Sequence, residues 1–218
     1  MHKSIINLID IKKEINLKSL NSEFDPKIIA VSKTFSINHI LPLIDYGHIN
    51  FGENKVQEAV DKWAEIKKNF QNLKLHMIGK LQTNKVKNAV ALFDYIHSLD
   101  SLKLAEKISS EQNKISKKMK LFIQVNIGAE NQKSGIEVEH LKNFYEKCIN
   151  DFDLNIIGLM CIPPITDNVQ VFFIKMSKLN SSLNLSELSM GMSSDYIDAV
   201  NNGSTFVRIG SKIFGKRS

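Results

Sequence analysis

Lys33 follows the apolar run Ile28-Ile29-Ala30-Val31, with only Ser32 between them. Most lysines are solvated and carry no chemistry. A lysine at the end of a buried strand is partly desolvated, which favours the neutral amine, and a neutral amine attacks aldehydes. Two short segments near the C-terminus, Gly191-Met192-Ser193-Ser194-Asp195 and Arg208-Ile209-Gly210-Ser211, combine a glycine with hydroxyls ahead of helical stretches. Helix starts of this kind present backbone N–H groups to phosphate, although each serine taken singly also reads as an ordinary cap. Arg208 is the third feature. Of the 29 lysines and arginines, only Arg208 and Arg217 are arginine. A planar, permanently charged guanidinium in an apolar strand needs an acceptor. That acceptor is either a carboxylate in a structural ion pair or an atom of a ligand.

These groups act together only if the fold gathers them. β-Rich runs fall at Ile28–Ser32, His48–Phe51, Lys74–Gly79, Tyr95–Ser98, Leu121–Asn126, Leu154–Met160, Leu188–Met190 and Phe206–Ile209. Helical stretches lie near 37–46, 55–69, 84–93, 101–114, 137–150, 168–183, 194–201 and 211–214. The alternation predicts an α/β fold, a single (β/α)8 TIM barrel over residues 1–218, with residues 1–20 as a leading amphipathic helix. The competing layout is an open doubly wound sheet. Its phosphate fingerprint, G-x-G-x-x-G after the first strand, is absent. Barrels carry function at the C-terminal strand ends and often bind phosphate with the loops after strands seven and eight. Lys33, Asn54, the serine-rich loop and Arg208 all fall at such ends, as do Lys80, Lys85 and Lys133. An imine-forming lysine beside a phosphate site calls for a phosphorylated aldehyde cofactor, pyridoxal 5'-phosphate, with Arg208 facing its unprotonated ring nitrogen. A barrel that binds a sugar phosphate through an aldolase-type lysine is the other reading of the same residues.

Composition excludes several classes. No apolar run approaches the roughly 18 residues of a membrane span, and the N-terminus lacks the core and cleavage site of a signal peptide. Cys148 and Cys161 form neither a disulfide framework nor a C-x-x-C pair, so two buried thiols in a cytoplasmic protein are expected. The net charge of +6 is scattered over helix faces, and no stacking aromatics accompany it, so nucleic acid is not the expected ligand. Six histidines without ligand spacing argue against a metal. His76, inside a strand, reads as a hydrogen-bonded core residue.

The stretches AVSKTF, YGHINFGENKVQEA, LHMIGKLQTNK, IHSLDS, VNIGAENQKSGI, GLMCIPP and LSMGMSSDYIDAVNNGSTFVRIGSKIFGKR run from residue 30 to 217. In them the chain closely resembles the pyridoxal phosphate homeostasis family (the YggS/PROSC proteins), whose fold is the N-terminal barrel of alanine racemase, fold type III. The resemblance implies that Lys33 carries pyridoxal 5'-phosphate and that Asn54 lies beside the ring. It also implies that Ser193, Gly210 and Ser211 contact the phosphate and Arg208 the ring nitrogen. Leu75 stands where the family often has an aromatic residue. The implied function is vitamin B6 homeostasis: the cofactor is held as a Schiff base without efficient amino-acid turnover and handed to recipient apo-enzymes by a monomer or weak dimer. Racemisation needs two bases, and Lys33 supplies one. In alanine racemase the other is a tyrosine from an extra β domain, which a chain ending at Ser218 is expected to lack. Tyr46, Tyr95, Tyr145 and Tyr196 fall away from the barrel mouth. The alternative is a minimal pyridoxal-phosphate-dependent racemase or lyase.

Overall fold

In a computed structural model that describes residues 1–20, 25–130 and 132–215, eight parallel strands close into a barrel in sequence order, β1 to β8, with β8 pairing back to β1. The strands are β1 (Lys27–Val31), β2 (Asn50–Glu53), β3 (Lys74–Met77), β4 (Tyr95–Leu99), β5 (Lys120–Gln124), β6 (Ile156–Met160), β7 (Glu187–Ser189) and β8 (Phe206–Ile209). The helices are α1 (Lys3–Lys18), α2 (Ile37–Asp45), α3 (Val56–Asn69), α4 (Val86–Leu92), α5 (Leu102–Lys114), α6 (Leu141–Asn150), α7 (Gln170–Ser182), α8 (Tyr196–Asn201) and α9 (Ser211–Phe214). The expected (β/α)8 barrel with a leading helix is the observed architecture.

Strands covered on both faces read as near-continuous apolar runs. Accordingly, every residue of β4 and β8 is buried. Residues pointing outward join the main core with the helices, whereas Ile29, Tyr95, Phe122, Met160 and Phe206 form a second cluster inside the barrel. His76 stacks on Tyr95 (centroids 4.3 Å apart) and His97 on Phe122 (4.2 Å), with Phe206 edge-on to both Phe122 and His97. The interior is therefore a filled layer, and the space for a ligand lies above it, at the C-terminal ends.

β2 lies two residues later than its hydropathy suggests. Gly47 closes α2 with φ +92°, and the His48 N–H returns to Leu43 O, so residues 47 and 48 belong to the helix end. The strand then runs on through Glu53 and delivers Asn54 to the rim. The leading helix buries Leu8, Ile11 and Ile15. It is tied to the closing helices by Asn7, which donates to Ile213 O, and by Glu14, which accepts from the Tyr196 hydroxyl at 2.5 Å and from Lys212 at 3.4 Å.

Candidate functional site

One cavity of about 580 Å³ opens at the C-terminal rim, and its lining contains Lys33, Asn54, Ser193, Arg208, Gly210 and Ser211. Residues from four strand ends, separated by up to 178 positions, thus converge on one space. Ile162 and Met192 add apolar walls. Phe35, stacked on Phe214 at 4.9 Å, closes the side between the first and last loops. Lys80 is exposed, while Lys133 pairs with Glu130 and donates to Pro163 O, so neither lines this cavity. Arg217 lies outside the described residues.

The loop that presents Lys33 is clamped from below. Lys62, on α3, reaches across to Ser32 O (2.9 Å), Glu53 Oε1 (3.0 Å) and Glu58 Oε1 (3.2 Å). Glu53 is fully buried, and the same Oε1 also accepts from the Ser32 hydroxyl and the Trp63 indole N–H. Glu58 in turn accepts the Thr34 N–H at 2.6 Å. Thr34 has φ +69°, an uncommon conformation for a β-branched residue, and these anchors hold it there. The backbone is thus fixed on both sides of Lys33. Sequence reasoning missed the clamp: Glu53 and Lys62 look like solvated charges of a strand end and a helix face, and only the geometry shows them buried together.

The loops after β7 and β8 each lead into a short helix, although their serines are not the residues that precede it. Asp195 is the residue before α8 and Gly210 the residue before α9. Asp195 instead accepts the Met192 N–H at 2.6 Å, which folds the turn. Gly191, with φ +87°, leaves its Cβ position 2.5 Å from the Ala199 side chain, so only glycine lets this turn sit against α8. Among the described residues, the N–H groups of Ser193, Ser194, Gly210 and Ser211 reach no protein acceptor, and neither do the hydroxyls of the three serines. A cluster of unsatisfied donors at one cavity wall is a receptor for an anion.

Arg208 is buried and donates to Ser189 Oγ (2.7 Å) and to Cys161 O (2.8 Å). Both acceptors are neutral, and among the described residues no carboxylate lies within ion-pair distance. The structural ion pair considered for this arginine is therefore not what the fold uses. Burial pushes the guanidinium pKa below its ordinary value, and Asp195, beyond ion-pair distance, offsets this only in part. Uncompensated, a buried cation is costly. The two bonds occupy part of a five-donor fork, and the rest of the side chain lines the cavity.

Matches to known proteins agree with this geometry. The family model of the alanine racemase N-terminal domain matches residues 6–218. The chain belongs to that family. It is 38% identical to the pyridoxal phosphate homeostasis protein of Haemophilus influenzae over 98% of this chain and 94% of the relative. It is 34% identical to the Escherichia coli K12 protein of the same name, over 97% and 95%. Among solved structures, PipY of Synechococcus elongatus PCC7942 with PLP bound superposes with a TM-score of 0.86 at 33% identity, covering 97% of this chain and all of PipY. Alanine racemase of Clostridium difficile, at 14% identity and a TM-score of 0.73, shares the fold over 56% of its own length.

Proposed function

We propose that this protein binds pyridoxal 5'-phosphate in the rim cavity and serves vitamin B6 homeostasis by holding the cofactor. The observation that carries the reading is the buried Arg208 without a carboxylate, on the same cavity as Lys33 and four unsatisfied N–H groups. That donor set fits a ligand with a phosphate, a ring acceptor and an aldehyde. Lys33 would hold the cofactor through its aldehyde as a Schiff base, with water as the other product. Ser193, Gly210 and Ser211 take the phosphate, Arg208 donates to the ring nitrogen, and Asn54 flanks the ring. PipY's bound PLP and the relatives' names support the same ligand.

Holding is favoured over turnover. Among the described cavity residues the only ionisable groups are Lys33 and Arg208, with no carboxylate, imidazole, thiol or phenol to serve as a second base. Tyr196 is engaged with Glu14, Tyr95 is stacked inside the barrel, and neither Tyr46 nor Tyr145 lines the cavity. An arginine donor at the ring nitrogen also disfavours its protonation and weakens the ring as an electron sink. Two buried, unpaired cysteines fit a cytoplasmic protein, and recipient apo-enzymes are its natural partners. The minimal racemase or lyase remains the alternative.

The test is the visible spectrum of the protein with added pyridoxal 5'-phosphate, then borohydride reduction and peptide mapping. A band lost on reduction and a label on Lys33, both absent in Lys33→Ala, are expected. A protein that stays colourless with added cofactor refutes the reading. With common amino acids, α-proton exchange on the order of 1 per second or faster would make it an enzyme instead.

A further inference from the structure

Below the cavity floor a line of buried polar groups runs through the barrel. Arg208 Nη1 donates to Ser189 Oγ at 2.7 Å, and Ser189 Oγ lies 2.9 Å from His97 Nδ1. His97 Nε2 lies 3.0 Å from His76 Nδ1, and His76 Nε2 lies 3.1 Å from Asn50 Oδ1. Ser189, His97 and His76 are fully buried. The five residues come from β8, β7, β4, β3 and β2, so the line crosses the barrel. Asn50 borders a separate cavity of about 230 Å³ at the opposite end.

The chemistry at the Arg208 end sets its polarity. A guanidinium only donates, so Ser189 accepts there. The Ser189 hydroxyl hydrogen then goes to His97 Nδ1. That fixes the His97 proton on Nε2, which donates to His76 Nδ1, and the His76 proton on Nε2, which donates to Asn50 Oδ1. Every donor and acceptor in the line is used once. With the polarity reversed, both Arg208 and His97 would donate to Ser189, and its hydroxyl hydrogen would be orphaned in an aromatic core. Neutral rings are required, and burial pushes both imidazoles well below their ordinary pKa. The neighbouring basic groups add to this: His48, Lys27, Lys67 and Lys120 oppose a charge on His76, and His76 and Arg208 oppose one on His97.

We propose that Ser189, His97 and His76 are positioning residues that lock the plane of Arg208 toward the cofactor ring. By committing the Ser189 hydroxyl to His97, the line makes Ser189 an obligate acceptor. The guanidinium is then held by two fixed neutral partners, and its remaining donors are aimed at the cavity. The role assigned to Arg208 rests on the cofactor reading above; the line itself is independent of it.

The experiment has two arms. In the apo-protein, 15N-resolved imidazole spectra from pH 5 to 9, assigned by comparison with His76→Phe and His97→Phe, are expected to show the His76 and His97 rings neutral, non-titrating and protonated on Nε2. A His76 or His97 ring that titrates near pH 6.5, or that carries its proton on Nδ1, overturns the line. In the second arm, pyridoxal 5'-phosphate is titrated into Ser189→Ala, Ser189→Thr and His97→Phe, with urea midpoints measured alongside. Losing one hydrogen bond to a charged group predicts about a tenfold weaker Kd and a shifted visible maximum for Ser189→Ala and His97→Phe. Ser189→Thr, which keeps the hydroxyl, stays near the parent. Folded Ser189→Ala and His97→Phe proteins with parental Kd and spectrum overturn the positioning role. If Ser189→Ala does not fold, His97→Phe decides, because phenylalanine keeps the stack on Phe122. Failure of the parent protein to bind the cofactor refutes the cofactor reading, and with it the role of the line, while the apo spectra still report on the line.

Discussion

The Lys62→Met substitution tests whether the clamp beneath Lys33 is as strong as its burial implies. The Lys62 side chain is 9% exposed and that of Glu53 0%, at 3.0 Å. Breaking a buried pair by removing one partner typically costs about 3–5 kcal/mol, because a charge is stranded. Here Glu53 Oε1 keeps two donors, Ser32 and Trp63, while Oε2 has no partner among the described residues. The remaining bonds soften the loss, which places the expectation at the lower end, about 3 kcal/mol. That is a large share of a typical stability of about 5–15 kcal/mol. Urea unfolding at pH 7 measures it, with the slope checked against the parent. Adding Glu53→Gln to Lys62→Met removes the stranded charge and keeps an acceptor for Ser32 and Trp63. The double variant is then expected to lose about 2 kcal/mol less than the sum of the singles. Cofactor binding should weaken as well, since Ser32 O and, through Glu58, the Thr34 N–H lose their hold on either side of Lys33. A Lys62→Met loss below about 1 kcal/mol, the range of a surface pair, would refute the reasoning. So would strictly additive singles.

Three further expectations follow from local geometry. Gly79→Ala places a Cβ 2.3 Å from Asn54 O and 2.7 Å from Asn54 Cα, both backbone. It should cost about 1–3 kcal/mol in thermal unfolding and weaken pyridoxal 5'-phosphate binding by displacing Asn54, and parental affinity would disprove the link. Glu14 is held down from 4.5 to about 2, chiefly by the Tyr196 hydroxyl and then by Lys18. A carboxyl lowered on folding stabilises above its unfolded value and loses that contribution as pH falls through the folded value. Glu14→Gln should therefore be less stable at pH 7, by about 1 kcal/mol once solvation is allowed for, and flatter than the parent between pH 4.5 and 2 in denaturant titrations. Burial pushes the Cys148 and Cys161 thiols up to about 12, so a disulfide reagent at pH 8 should label neither until urea unfolds the chain.

How much could be read from sequence depended on whether a feature is local. The barrel was legible because each strand is a short apolar run, and runs such as Tyr95–Leu99 are buried on both faces. The cavity residues were legible because barrel topology alone brings strand ends together, so Lys33, Ser193 and Arg208 converge without any pairwise signal. β2 was misplaced because His48 and Ile49 have strand-like hydropathy, while the hydrogen bond that returns His48 to α2 leaves no mark in composition. Glu53 with Lys62, and His97 with Ser189, could not be read at all. Each partner is ordinary in its own segment, and their pairing is set by strand order and register. Two neighbouring arginine acceptors, Ser189 and Cys161 O, were likewise invisible; the sequence offered only a ligand atom or a carboxylate.

The two supports differ in kind, and the difference bears on function. Lys33 stands on an ionic clamp that fixes the backbone on both sides of it, so its side chain leaves the rim from a defined position. Among the described residues Arg208 hydrogen-bonds to neutral partners only, and Asp195 acts on it from beyond ion-pair distance, so most of its charge is left to face a ligand. A protein that merely needed a stable core would place a carboxylate beside such a guanidinium or replace it with an apolar residue, because an unmatched buried cation costs stability. Retaining it makes the empty cavity electrostatically unfavourable and the anion-filled one favourable. By linkage, whatever occupies the site stabilises the fold in proportion to the logarithm of its concentration over Kd. A binder built this way gains most when filled, which is the behaviour a cofactor reservoir requires.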